Sequence, residues 1–191
     1  MTEAAPVERW PPTYDAADLA SQIRALADRG DLFGSFFSTR PEDGSWCQGD
    51  VLRLPADFPY IDSTGSAAIL AELGIEFWLL LSNTCDLNRE LTVVPYAQLV
   101  PLFDVDAAAS DMPALRSYQL GRRFYVPYWD PGTTKHFVAD FTMPVTVDRV
   151  ALARICAPPV AHLSRLSWFL LHSCLVRFLA RDDGRFDPGP D

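Results

Sequence analysis

Five apolar residues in succession, Phe77-Trp78-Leu79-Leu80-Leu81, stand between Glu76 and Ser82. A strand with one face in water alternates apolar and polar side chains, and this run does not. It predicts a central strand over Glu76–Ser82, covered on both faces. Next come Ser82-Asn83-Thr84-Cys85-Asp86-Leu87-Asn88, small polar and thiol groups where the chain leaves that strand, and a second strand is expected over Leu91–Leu99. Two readings of the polar segment stay open. Asn83, Thr84, Cys85, Asp86 and Asn88 can form a ligand-binding loop; equally, Ser, Asn, Thr and Asp can bond their own backbone in a turn while Cys85 fills the core.

A chain of 191 residues, 49% of them hydrophobic, is long and apolar enough to bury a core, which excludes a disordered polymer. Residues 1–12 hold Pro6, Pro11 and Pro12 and read as a flexible arm; 13–191 reads as a single domain. The net charge of -9 argues against DNA as a partner, because phosphate affinity comes from clustered Lys and Arg; RNA is left only a local patch. Lys135 is the one lysine among sixteen basic residues, so positive charge comes almost wholly as arginine, a pattern that codon bias also produces. Cys47, Cys85, Cys156 and Cys174 are dispersed singly, without the pairs of a zinc site or the density of a disulfide scaffold, and read as reduced thiols of a cytoplasmic protein. Residues 1–12 carry no charged and then apolar leader, and the most apolar stretch, Leu166–Val176, falls short of the roughly twenty residues of a bilayer span. No membrane association is expected.

Periodicity predicts an amphipathic helix over Tyr14–Arg29, with Leu19, Ile23 and Leu26 on one face and Gly30 as its stop. Short strands are expected at Leu32–Ser38 and Gly49–Pro55, a loop at Asp57–Gly65, and either helical turns or more loop at Ser66–Leu73. Asp104–Pro113 reads as exposed. Phe124–Tyr128 and His136–Phe141 read as a hairpin, followed by an extended or edge segment at Thr142–Val147. A long apolar C-terminal helix is expected over about 159–181, with Leu163, Leu166, Leu170, Cys174 and Phe178 in one line and Phe169, Val176 and Leu179 beside it. Strands framed by terminal helices make an α+β domain around an antiparallel, curved sheet, whose core lies over about 49–150.

A cysteine nucleophile needs a base in hydrogen-bond reach and a group to orient it. Cys85 with His136 as base and Asp86 or Asp140 as orienter is the set that chemistry alone suggests. His162 and His172 lie ten residues apart, too far for two ligands of one ion, so no metal site is expected; paired acids at Asp104 and Asp106 and at Asp182 and Asp183 read as solvated. Phosphate-loop and dinucleotide glycine patterns are absent, and no cofactor is expected. Arg122-Arg123-Phe124-Tyr125-Val126-Pro127-Tyr128-Trp129 sets two arginines beside aromatics. That arrangement can hold a phosphate and stack a base, although alternation accounts for the aromatics as a half-buried strand.

Gly49-Asp50-Val51 entering a strand, a strand ending Leu80-Leu81-Ser82, an asparagine in the polar loop and a strand ending Val93-Val94-Pro95 resemble the first three strands of the MazF/PemK-like toxin barrels, and the late segment closing in Thr146-Val147-Asp148 is similar to that family's late strand. The resemblance implies a small SH3-like β-barrel. Several members of that family cleave single-stranded RNA. Active members carry a basic residue before the second strand and a threonine or serine after the proline, where this chain has Glu76-Phe77 and Pro95-Tyr96. The resemblance therefore implies a barrel without its usual catalysis, acting as a binding or assembly module of a bacterial toxin–antitoxin or phage-defence system, with a protein partner or a second copy of itself. The enzymatic alternatives are an endoribonuclease using Arg53 with the 82–88 loop, and a hydrolase using Cys85 and His136. Ser82-x-Thr84-Cys85-Asp86-Leu87 also resembles an S-x-T-C-D-[IL] motif of other bacterial proteins, to which no function attaches.

Overall fold

The computed structural model describes residues 16–39, 41, 43–55, 59–61, 67–69, 75–129 and 135–180. The expected arm at 1–12 lies outside these residues. In chain order the first elements are helix α1 (Ala16–Ala27), a 3-10 turn (Phe33–Ser35), and strands β1 (Phe37–Ser38), β2 (Val51–Arg53), β3 (Pro59–Ile61), β4 (Ala67–Ile69) and β5 (Phe77–Leu80). Then come α2 (Thr84–Leu87), β6 (Tyr96–Val105), α3 (Met112–Arg116), β7 (Arg123–Pro127), β8 (His136–Asp140) and β9 (Val145–Asp148). The last are α4 (Arg149–Ile155), β10 (His162–Leu163) and α5 (Arg165–Leu179). The fold is mixed α+β with antiparallel sheets.

All four residues of β5 are buried, and β5 lies inside the sheet, between β2 and β6, as the unbroken apolar run predicts. Its side chains divide by parity. Phe77 and Leu79 join a larger core with Val51, Val100 and Leu102, while Trp78 and Leu80 join a smaller one with Leu52, Ala97 and Leu99. The larger core is closed by Ile23 and Ala27 of α1 and by Leu170, Leu171 and Cys174 of α5; the smaller by Leu87 of α2 and Leu152 of α4.

Strand β6 organises the sheet because one edge serves two partners. Leu99–Leu102 pairs with β5, whereas on the opposite edge Tyr96–Leu99 pairs with β9 and Leu102–Val105 with β8. The hairpin of β7 and β8 matches in register from Arg123↔Asp140 to Pro127↔His136, extending the strand order to β2-β5-β6-β8-β7. On the far side, Val51 meets Ala161 in a bridge, and the chain continues into β10, which pairs with β1. Among the described residues these pairings do not close into a barrel.

Several boundaries differ from expectation for identifiable reasons. The second long strand starts at Tyr96 and runs to Val105, not over Leu91–Leu99: residues 91–93 form a turn, and Asp104 belongs to the strand because its backbone pairs with Phe137. The last helix is shorter than 159–181, since Ser164 caps its N-terminus by accepting the Ser167 N–H and leaves His162 and Leu163 to β10. Leu170 and Cys174 face inward as read, while Phe169, Val176 and Leu179 are exposed. Within Leu32–Ser38, Phe33–Ser35 is a 3-10 turn and only Phe37–Ser38 is strand, and Ala67–Ile69, read as loop or helix, pairs with Pro59–Ile61. Among the described residues no helix is long and apolar enough to cross a membrane.

Gly49 sits at the joint where β2 begins, with φ of +90°. A Cβ there would stand 2.6 Å from Cδ1 and 2.9 Å from Cγ of Leu163, itself buried in the larger core. Left-handed strain and overpacking act together at this position. Gly49→Ala should therefore lower stability by about 3 kcal/mol, read as the shift of the urea unfolding midpoint at unchanged slope.

Candidate functional site

The polar segment after β5 is wound into α2. Asn83 caps it, its Oδ1 accepting the Cys85 N–H at 2.9 Å, and the Ser82 Oγ accepts the Gln98 N–H at 2.7 Å. Thr84 Oγ1 accepts the Gln48 N–H at 3.0 Å. Gln48 is buried and acts as a hub: its Nε2 donates to Leu81 O at 2.7 Å, and its Oε1 accepts the Trp168 indole N–H at 3.0 Å. Ser82, Asn83 and Thr84 are thus committed to backbone groups: Asn83 bonds its own local backbone, as in a turn, while Ser82 and Thr84 tie the segment to β6 and to Gln48. Asp86 lies 3.6 Å from Arg89 as an exposed ion pair, and Asn88 is the exposed C-cap of α2. The Cys85 thiol is exposed, so the cysteine is not a core residue.

Beneath the segment, the fully buried Asp50 joins three elements. Its Oδ2 accepts the Cys47 N–H at 2.9 Å, its Oδ1 lies 2.6 Å from His162 Nδ1, and its backbone carbonyl accepts the Leu80 N–H. A buried carboxylate is expensive unless hydrogen-bonded, and these contacts satisfy it. Ahead of the segment, the chain from Asn88 to Pro95 has little regular structure, yet the buried guanidinium of Arg149 holds it. Nη1 donates to the carbonyls of Val94 at 2.6 Å, Arg89 at 3.2 Å and Asp86 at 3.5 Å, and Nη2 donates to Leu87 O. Sequence reasoning gave no role in this site to Gln48, Asp50, Arg149, His162 or Trp168. Only the polar pair Gln48 and Asp50 just before an apolar strand gave a local sign; the partners lie far along the chain.

The expected catalytic sets do not assemble. Gln98, which bonds the start of the polar segment, and Val105, opposite His136, are seven residues apart on β6, about 23 Å at the usual rise, so His136 and the segment that carries Cys85 lie by opposite ends of one strand. The His136 Nδ1 is 2.8 Å from the Tyr125 hydroxyl. Arg53 pairs across from Phe77, at the end of β5 away from the 82–88 loop, and ion-pairs with Glu76 at 2.5 Å. Among the described residues no three His, Cys, Asp or Glu side chains are placed to hold a metal ion. His172, whose ring is tilted against Trp168 with centroids 4.3 Å apart, has its pKa lowered by burial.

Arg122 and Arg123 occupy a separate place, the entrance to β7. Both approach Asp140 Oδ2, at 3.8 and 3.9 Å, and Arg123 also donates to Asp111 at 3.1 Å. The structure adds Arg177 of α5, which lines a surface cavity together with Arg122 and Arg123. Searches against protein-family models and against curated proteins return no match.

Two outcomes follow from this geometry. Arg149→Met should free the 88–95 segment, seen as faster amide hydrogen exchange there and a stability loss of about 3 kcal/mol, and Arg149→Lys should fail to restore it because one ammonium cannot span four carbonyls. Under a thiol reagent in native buffer, Cys85 should label, whereas Cys174 should stay unmodified, burial pushing its pKa up to about 12. Mass spectrometry of the labelled chain reads both.

Proposed function

We propose that this protein is a non-catalytic binding module that docks a protein partner through the surface made by the 88–96 segment and α4. The observation that carries this reading is the use of a buried arginine to hold an irregular segment whose apolar side chains face outward. Leu91 is 44% exposed, Val93 63%, Tyr96 58% and Val150 38%. Apolar side chains on a turn have no folding reason to be presented rigidly, and a fixed apolar centre is what an interface needs. Arg89, Glu90, Asp148 and Arg154 give the surroundings charges of both signs, which suits a protein rim better than a nucleic acid or a lipid surface.

The non-catalytic part of the reading is supported by where the reactive groups are engaged: His136 with Tyr125, His162 with Asp50, Arg53 with Glu76. We take the sheet as an opened, divergent relative of the PemK-like SH3-like barrel. Gly49-Asp50-Val51 at the start of β2, Leu80 at the end of β5 and Thr146-Val147-Asp148 at the end of β9 support this reading, whereas Val93-Val94-Pro95, the end of its third strand, lies outside any strand here. The setting in a bacterial toxin–antitoxin or phage-defence system rests on the same resemblance, and the cytoplasmic placement on the four dispersed cysteines.

The test compares wild type with Val93→Asp and, as a control on the opposite side, Phe169→Asp. Sedimentation and affinity purification from the native host should give a defined complex that Val93→Asp weakens about thirtyfold or more and Phe169→Asp leaves intact. A wild-type monomer that retains no partner, or a complex indifferent to Val93→Asp, overturns the reading.

A further inference from the structure

We propose that the cleft between the last turn of α5 and the entrance to β7 is a binding site for a small phosphate-bearing anion. The cavity is about 570 Å³, within the range of small-molecule sites, and its lining includes Arg122, Arg123, Arg177, Asp111, Leu120 and Phe178. Three guanidinium groups converge here in a protein whose net charge is -9. Like charges brought together repel unless counter-charge is supplied, and the two nearby carboxylates do not match three cations.

The hydrogen-bonding of the three arginines leaves donors to spare. Asp140 Oδ2 lies 3.8 Å from Arg122 and 3.9 Å from Arg123, beyond hydrogen-bond length, and its Oδ1 accepts from the Thr142 N–H at 3.0 Å and hydroxyl at 2.6 Å. Arg123 keeps one good bond, to Asp111. Arg177 contributes the strongest sign: its Nε is buried with no hydrogen-bond partner among the described residues, and its Nη2 reaches Leu120 O only at 3.5 Å. A buried, unpaired donor on a permanent cation at a cavity wall is a position that a bound oxyanion satisfies.

The arginines, and not the helix, supply the attraction, since the C-terminal end of α5 carries the opposite partial charge. Guanidinium forks match the oxygens of phosphate in pairs, and Leu120 and Phe178 offer an apolar wall for whatever carries the phosphate. This site is separate from the docking surface and stands or falls without it.

Calorimetric titration of the full chain with pyrophosphate and with inorganic phosphate, at constant ionic strength, tests the assignment. Saturable binding is expected, weakened about tenfold or more by Arg122→Gln and by Arg177→Gln, and unchanged by Arg165→Gln, whose guanidinium lies over Phe169. Circular dichroism checks the folding of each variant; Arg122, largely exposed, keeps the test decisive if Arg177→Gln does not fold. Absence of binding, equal binding by Arg122→Gln, equal weakening by Arg165→Gln, or tighter binding of citrate than of pyrophosphate each overturns the proposal.

Discussion

Strand β5 has no side to give to water, and the architecture is arranged around that constraint. A strand buried on both faces needs neighbours on both edges and a covering layer above and below. Strands β2 and β6 supply the edges, α1 and α5 cover one face, and α2 and α4 cover the other. The smaller core is built from the same three strands read at alternate positions, so one four-residue stretch sets both hydrophobic layers.

One carboxyl and one guanidinium group are buried beside this layering, and each is handled differently. Asp50 is fully enclosed with an imidazole and a backbone amide as partners, while Arg149 is surrounded by carbonyls and has no carboxylate among its described contacts. Desolvating a charged group opposes folding by several kcal/mol, and hydrogen bonds to a charged group return about 1.5–3 kcal/mol each. Four carbonyls are therefore about enough to offset the burial of Arg149, and the cost of Arg149→Met comes from the carbonyls it leaves without donors.

What could be read in advance follows from which forces are local. The strand at Phe77–Leu80, the hairpin at Arg123–Asp140 and the inner line of α5 through Leu170 and Cys174 show in periodicity, because burial imposes it directly. Val93 and Val94 look like strand and are not, because Arg149, more than fifty residues away, claims the carbonyl of Val94. His162 reads as part of a helix, yet Ser164 caps the helix after it and Asp50 holds it at the edge of the sheet. Cys85 and His136 are chemically matched and spatially apart, since a composition of reactive groups says nothing about where one long strand carries each end. Arg122 and Arg123 were visible as a pair; Arg177 joins them only because α5 ends beside β7.

The staple on the 88–95 segment grips peptide carbonyls, which every residue type possesses. Its hold does not depend on which side chains the segment carries, so Leu91, Val93 and their neighbours can be exchanged without loosening the frame beneath them. A surface built this way separates the code that a partner reads from the scaffold that displays it. Such a surface can change specificity by substitution while the rest of the molecule stays as it is.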